Sequence, residues 1–492
     1  MIRTYDVIVA GCGIAGLSAA VSAAQGGAKV AVLERAPFEE RGGNTRWTEA
    51  FLRMKNEHEV SDDFEEHFMA NSGFHLDPSL VQETASPYEQ WPSIVKSLSF
   101  TDPEIVATLA AQAGPTLQWM KQFGVTYSDM ASYLITQSTT RISPVGGGWA
   151  LLEALAKGAD ELGVEFFYET TAEELIQNED GRIVGLRATS RESRNHRFMG
   201  AVVLACGGFE GNAEMQARYL GPASRYVRPV ARGGYYNRGE GIRMGLAVGA
   251  APCGDFTEYH AEPIDPRSGV SEPIVFMFPY GILVDQNGRR FIDEASDAVD
   301  AIYENISRVI NRLPGGIAYA ICDAGLDDVP NWQRTVRTDE KPYQADTLAQ
   351  LAGQIGVSAD NLERTVAEFN AATASGEFKP LEKDGLATRG LQPPKSNWAR
   401  PIAKPPYRAW PISSANCFTF GGLRCNTSAQ VVDHDGRVIP GLYAAGETMG
   451  IYYGRYTGAT SVLRGAVYGR IAGIHAAENC KAQSAAIPEA LP

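Results

Sequence analysis

Two glycine clusters and one acid in this chain have the types and spacing to hold phosphates and a sugar. The first is Gly11-Cys12-Gly13-Ile14-Ala15-Gly16, set between the apolar runs 5–10 and 28–33, the second of which leads into Glu34 and Arg35. Gly11 permits a sharp strand-to-helix turn, Gly13 lets the backbone approach a pyrophosphate, and Gly16 lets the helix pack on the strand. The helix that starts there points N–H groups and the positive end of its dipole at the phosphates. Glu34, eighteen residues after Gly16, is placed to accept hydrogen bonds from a ribose. Three glycines alone are a weak signal, but two flanking strands make this a dinucleotide site. The second cluster, Gly207-Gly208, follows the buried run 201–206 and again suits close approach of backbone to a ligand.

The elements that must position these residues can be read around them. The strand–helix–strand unit ends near residue 36, and Arg41-Gly42-Gly43-Asn44-Thr45-Arg46-Trp47 follows as a loop. Residues 60–160 read mostly as helices, from apolar residues at three and four spacing in 104–123 and 149–161. Residues 164–206 read as strands, with a hairpin turn at Asn178-Glu179-Asp180-Gly181. From about 255 short strands and turns dominate, followed by two amphipathic helices capped by Thr347 and Ser358. Residues 376–408 are rich in proline and lysine and read as surface chain, and a helix near 459–479 closes the fold. The prediction is an α/β protein: a Rossmann-like dinucleotide-binding domain (1–255 and 419–480), an inserted α+β capping domain (256–418) and a tail (481–492).

Composition narrows the function. The chain has 492 residues, 44% apolar and 21% charged, with a net charge of −14. That balance argues against nucleic acid and anionic membranes as partners. No apolar run approaches the ~20 residues of a membrane span, and no charged-then-apolar leader opens the chain. A cytoplasmic location is expected. The seven cysteines form no CxxC pattern, so no iron–sulfur, haem or other metal site is predicted.

In order along the chain, the first glycine turn, residues 41–47, Ala205-Cys206-Gly207-Gly208-Phe209, Gly288-Arg289-Arg290-Phe291-Ile292-Asp293-Glu294 and residues 441–447 resemble the fumarate reductase/succinate dehydrogenase flavoproteins. Trp398-Ala399-Arg400-Pro401-Ile402 and Gly469-Arg470-Ile471-Ala472-Gly473 point to the tricarballylate dehydrogenase branch. The resemblance implies FAD. By position, Gly11, Gly13, Ile14, Ala15, Gly16, Glu34 and Arg35 would hold its ADP half, with Ala172 at the adenine. Gly42, Gly43, Asn44 and Thr45 would follow the flavin-side loop, together with Gly207 and Gly208. Gly446 and Glu447 would meet the ribityl chain, and Ser461 and Val462 the N1/O2 edge of the flavin at a helix N-terminus. Members that tether FAD do so through a histidine after the second strand; residues 36–57 contain none, so noncovalent FAD is expected. The positions of three fumarate-handling residues carry Ala298, Phe418 and Glu262 here, so fumarate reduction by the usual residues is not expected.

Desaturating a C–C bond beside a carbonyl needs a hydride acceptor, a base and a group that polarises the carbonyl. His260, in a His-Ala-x-Pro context that the tricarballylate-type enzymes share, is the candidate base or donor. Arg455 can clamp a carboxylate, and Tyr456, before Thr457-Gly458, resembles the carbonyl-polarising tyrosine of ketosteroid dehydrogenases. Arg141, Arg232 and Arg424 are further loop cations that can face an anion, and Phe276, Phe278, Tyr280, Phe418 and Phe420 can wall an apolar pocket. The leading expectation is an FAD-dependent CH–CH dehydrogenase or reductase of tricarballylate-like carboxylates. A ketosteroid- or cyclic-ketone-type desaturase, or an enoate reductase, is the alternative. A flavoprotein electron-transfer subunit without its own substrate is the reading of another class. With no iron–sulfur or haem ligands in the chain, electrons are expected to leave the flavin to a quinone, oxygen or a separate protein.

Overall fold

The computed structural model describes every residue except 1, 73–76, 97, 99, 130–134, 137 and 487–492. Strand β1 (Ile2–Ala10), helix α1 (Ile14–Gln25) and strand β2 (Val30–Leu33) open the chain. Strand β1 pairs in parallel with β2 and with β3 (His196–Leu204). Val7, Ile8, Val9, Val30 and Val32 are all buried, as expected of central parallel strands covered on both faces. The sheet continues through Val438–Ala444 and Gln430–Val432 beyond β3, and through Glu165–Phe167 beyond β2. A hairpin, Thr171–Gln177 and Ile183–Thr189, pairs along the first half of β3.

Register decides where a ligand can sit. Ala10 lies opposite both Leu33 and Leu204, and Ala444 lies opposite Leu204. Four parallel strands therefore end level, and Gly11, Glu34, Ala205 and Ala445 leave the sheet at one edge. The carboxyl edge is where open α/β sheets bind ligands.

A second sheet stands over that edge. It is built around β5 (Tyr407–Thr419), which pairs with β4 (Tyr259–Ile264) on one side and with Ile317–Cys322 on the other. Ile282–Val284 pairs beyond Ile317–Cys322, and Tyr343–Ala345 joins the start of β5. Arg228–Pro229, upstream of residue 256, also pairs with β5. Helix α2 (Val299–Arg312) covers this sheet with Val299, Ile302, Ile306 and Ile310, and Phe276 and Phe278 belong to the same core. The capped helices appear as expected, with the Thr347 hydroxyl accepting from Gln350 N–H and the Ser358 hydroxyl from Asn361 N–H.

Helix α3 (Ser461–Ala486) then returns to the first sheet and lies on α1. A Cβ on Gly469 or Gly473 would stand 2.2 Å from the carbonyl oxygen of Ala15 or Ala19, so only glycine allows this contact. The helix runs past residue 479 because its last turns are rich in alanine, lysine and glutamine. The expected tail from 481 thus begins as helix, and its residues 487–492 lie outside those described. Among the described residues no helix is long and apolar enough to cross a membrane, and all seven cysteines are free.

Candidate active site

A cavity of about 1570 Å³, counting the solvent open to it, runs from the ends of β1 and β2 to β4 and the start of α3. Its first half is lined largely by backbone. Gly11 holds φ +110°, and a Cβ there would meet Ala205 O at 2.1 Å. Helix α1 begins at Gly13 without a side-chain cap from that residue, and Ile14 N–H donates to Thr45 Oγ1 at 3.0 Å. Glu34 accepts from the N–H groups of Cys12 (3.0 Å) and Ala36 (2.8 Å). Burial pushes its carboxyl above the ordinary value, so a further hydroxyl donor would favour the charged form. Asn44 donates to Glu210 Oε1 (2.6 Å) and Cys417 O (2.8 Å) while its buried Oδ1 has no partner. Glycines that admit no Cβ, helix N–H groups, a ribose-type acid and an open amide acceptor fit a flavin dinucleotide.

The second half is lined by side chains. Between His260 and Ala261 the β4–β5 register shifts: His260 faces Phe418 and Ala261 faces Asn416, leaving Cys417 as the extra residue of a bulge. Bulges re-aim side chains near active sites. This one gathers ligating atoms of His260, Glu262 and Cys417 within 4.8 Å of one another. His260 Nε2 lies 2.6 Å from Tyr303 Oη of α2. Burial, then the nearby Arg308 and Arg141, holds the imidazole down at about 3, so it is neutral near pH 7. The His260 ring packs 4.4 Å from the Tyr456 ring and 5.2 Å from the Phe418 ring. Tyr456 Oη accepts from Thr460 N–H and Ser461 N–H and donates to Ser461 Oγ, each at 3.0 Å. It thus caps α3 while lining the cavity. Arg141 also lines the cavity and pairs at 2.7 Å with Asp300, whose side chain is fully buried.

Most expected cofactor residues line this one cavity: Gly11, Gly13, Ile14 and Ala15; Glu34 and Arg35; Gly42, Gly43, Asn44 and Thr45; Ala172 and Gly207; Gly446, Glu447, Ser461 and Val462. Two expected residues stand behind the wall. Gly16 packs on Gly11, where a Cβ would stand 2.0 Å from Gly11 O, and Gly208 faces the carboxyl of Glu447 and the hydroxyl of Thr419. Glu447 in turn accepts from Thr419 N–H at 2.6 Å. Burial pushes both carboxyls of the Glu210–Glu447 pair above the ordinary value, and the Glu447 charge pushes Glu210 further.

His260 and Tyr456 meet in the chamber; Arg455 does not join them. Its side chain is exposed, because Gly454 turns the chain with φ +61° and Arg455 N–H bonds Asn71 O at the surface. Of the loop cations, Arg141 reaches the cavity, whereas Arg232 pairs with Glu40 at the surface and Arg424 donates to Lys96 O. Phe418 is the one member of the expected aromatic wall that lines the cavity. No motif singles out Tyr303, Glu272 or Cys417. Tyr303 lies on a helix face that reads as core, and the other two owe their places to a left-handed residue and a bulge.

The family model described as FAD binding domain matches residues 6–463. The chain belongs to this family of flavoproteins. A probable fumarate reductase of Shewanella frigidimarina is 28% identical over 97% of this chain and 75% of its own length. The vinyl phenol reductase of Lactiplantibacillus plantarum is 25% identical over 98% of each chain. The open conformation of a flavocytochrome c3 fumarate reductase superposes with a TM-score of 0.74, at 25% identity, over 97% of this chain and 79% of that one. The flavoprotein described here uses FAD and is an oxidoreductase of carbon–carbon bonds.

Proposed function

We propose that this flavoprotein reduces, or in reverse forms, a C=C bond conjugated to a carboxylate or ketone. The observation that carries the reading is a single cavity joining the dinucleotide cradle to a hydroxyl, a neutral imidazole and a helix N-terminus. Bound FAD supplies the two-electron donor or acceptor. The chain's residues do the rest. The first turn of α3 would hold the N1/O2 edge of the flavin and favour negative charge there. Tyr456 exchanges the proton, with Ser461 Oγ as its neighbour in the relay. His260, held by Tyr303, orients the substrate rather than acting as the base, since a group titrating at about 3 is a poor proton acceptor near pH 7. Arg141 offers a guanidinium for one carboxylate.

The tricarballylate resemblance implies several carboxylates on the substrate. The charges lining the chamber favour few of them: Arg141 is already paired with Asp300, Glu262 lines the cavity too, and Arg464, which donates to Met449 O, is the further buried arginine there. The likeness to a vinyl phenol reductase agrees with a less charged substrate, and the aromatic chamber keeps a cyclic-ketone reading alongside it. Residues 256–418 act as the cap that shields the chamber from water, and electrons are exchanged with a separate protein or a quinone. FAD is held noncovalently, so acid precipitation should leave the yellow colour in the supernatant. The test of the reaction is anaerobic: reduced holoenzyme is mixed with acrylate, fumarate, tricarballylate's unsaturated analogue, cinnamate and cyclohexenone. Reoxidation of the flavin by a conjugated acid or ketone is expected; failure of all of them defeats the reading.

A further inference from the structure

The end of the chamber beyond His260 is acidic. Glu262, on β4, is 8% exposed and lines the cavity. The hydrogen-bonding partner of its carboxyl is the thiol of Cys417, a weak donor. Glu272 lines the same end from a loop residue with φ 50°. A left-handed glutamate is costly and persists only where its surroundings fix it. Here its N–H donates to Val230 O at 3.0 Å and its carbonyl accepts from Ile274 N–H at 2.8 Å. The cation that offsets this end is Arg337, and it is shared: 3.2 Å from Glu272 and 2.9 Å from Glu49. Three carboxyl groups therefore draw on one guanidinium. Burial pushes Glu262 up to about 7, and burial together with the Glu262 charge pushes Glu272 well above its ordinary value.

We propose that Glu262 and Glu272 form a hydrogen-bond-accepting subsite that selects a substrate carrying an O–H or N–H group on an aromatic ring, remote from the reacting bond. The inference rests on the C=C reading above and names its substrate class. A nearly unpartnered buried carboxyl gains when a donor reaches it, whereas a second carboxylate brought there would add charge to an acidic, desolvated wall. The rings of His260, Phe418 and Tyr456 pack on one another with centroids 4.4–5.2 Å apart, and each lines the cavity, so this side of the chamber is an aromatic wall that suits a planar ring.

The experiment measures binding to the oxidised holoenzyme through the flavin absorbance change, without turnover. Three probes differ at one position: 4-hydroxycinnamate, 4-methoxycinnamate and 4-carboxycinnamate. Wild type should bind the hydroxy probe about 10-fold or more tighter than the methoxy probe, and the carboxy probe weakest. Glu262→Leu should erase the hydroxy preference, and Glu262→Gln, the variant closer in shape, should reduce it and relieve the carboxy penalty. Equal or tighter binding of the carboxy probe to wild type overturns the inference, as does an unchanged preference in both variants. If acrylate or cyclohexenone reoxidises the reduced flavin while the ring probes show no preference, the inference alone fails. If no probe binds or reoxidises, the C=C reading fails with it.

Discussion

At the dinucleotide end of the cavity the chain offers mostly backbone: Gly11, Gly13, the first turn of α1 and the ends of four level strands. At the chamber end it offers side chains, from β4, β5, α2, the loop at Arg141 and the approach to α3. The first arrangement depends on where the main chain can go. The second depends on what each side chain carries and on the charge beside it. The contrast explains how one cradle can serve different reactions: the cofactor end tolerates few residue types at its turns, while the chamber changes chemistry one side chain at a time.

Substitutions at the two ends should therefore fail differently. The largest effect is expected at Gly11. Gly11→Ala faces both a left-handed φ and a Cβ 2.1 Å from Ala205 O, so the purified protein should carry no FAD. Colour retained at the wild-type ratio of flavin to protein would refute the close-approach argument. At the chamber end Tyr456→Phe should keep its flavin and lower the rate of flavin reoxidation by ~10²–10⁴-fold. A rate near wild type in stopped-flow would remove Tyr456 from the proton path.

Two arginines sharpen the comparison within the chamber. Arg141→Ala takes the guanidinium from the buried Asp300 carboxylate, leaving it the Ser138 N–H and hydroxyl, and should cost about 3 kcal/mol in denaturant unfolding. Arg455→Ala, on an exposed side chain, should change stability by less than ~0.5 kcal/mol and leave substrate affinity unchanged. Equal effects of the two would mean that the cavity wall is wrongly drawn.

A smaller effect is tied to pH. The Glu262 carboxyl titrates at about 7 in the fold against 4.5 for the ordinary group. The native state therefore holds a proton that the unfolded chain releases between those values, and stability falls as pH rises through that window. Glu262→Gln removes this loss, so its gain in melting temperature should be larger at pH 8 than at pH 5, on the order of 1–3 kcal/mol in stability. A gain that is the same at both pH values would show that the carboxyl is not held protonated.

The same division governs what could be read from the sequence. The glycine turn, Glu34 and the strands beside them are contiguous, and their spacing carries the geometry directly. His260 and Tyr456 were visible through resemblance, and so was the oddity of Glu262 and Phe418 at their positions. Arg455 looked as good as Tyr456 because one residue of spacing cannot show that Gly454 turns the chain outward. The meeting of Cys417 with His260 and Glu262 hangs on one extra residue in β5, and a shift of one residue in strand pairing leaves no mark in hydrophobic pattern. Tyr303 sits on an amphipathic helix whose neighbours give no reason to single it out.

The glycines of α3 that rest on α1 have a consequence in time. The cradle is closed by residues 446–465, yet the turn that begins it is at residues 11–16. At ~5–20 residues per second, the ribosome takes on the order of 20–90 s to travel from one to the other. Through that interval the nascent chain exposes α1 with its partner helix still unmade, a face of Ala15 and Ala19 that only Gly469 and Gly473 can cover. Capture of the cofactor thus waits until residues 446–473 have been made, and a chain stalled before residue 446 has half a nucleotide site and nothing to lock it.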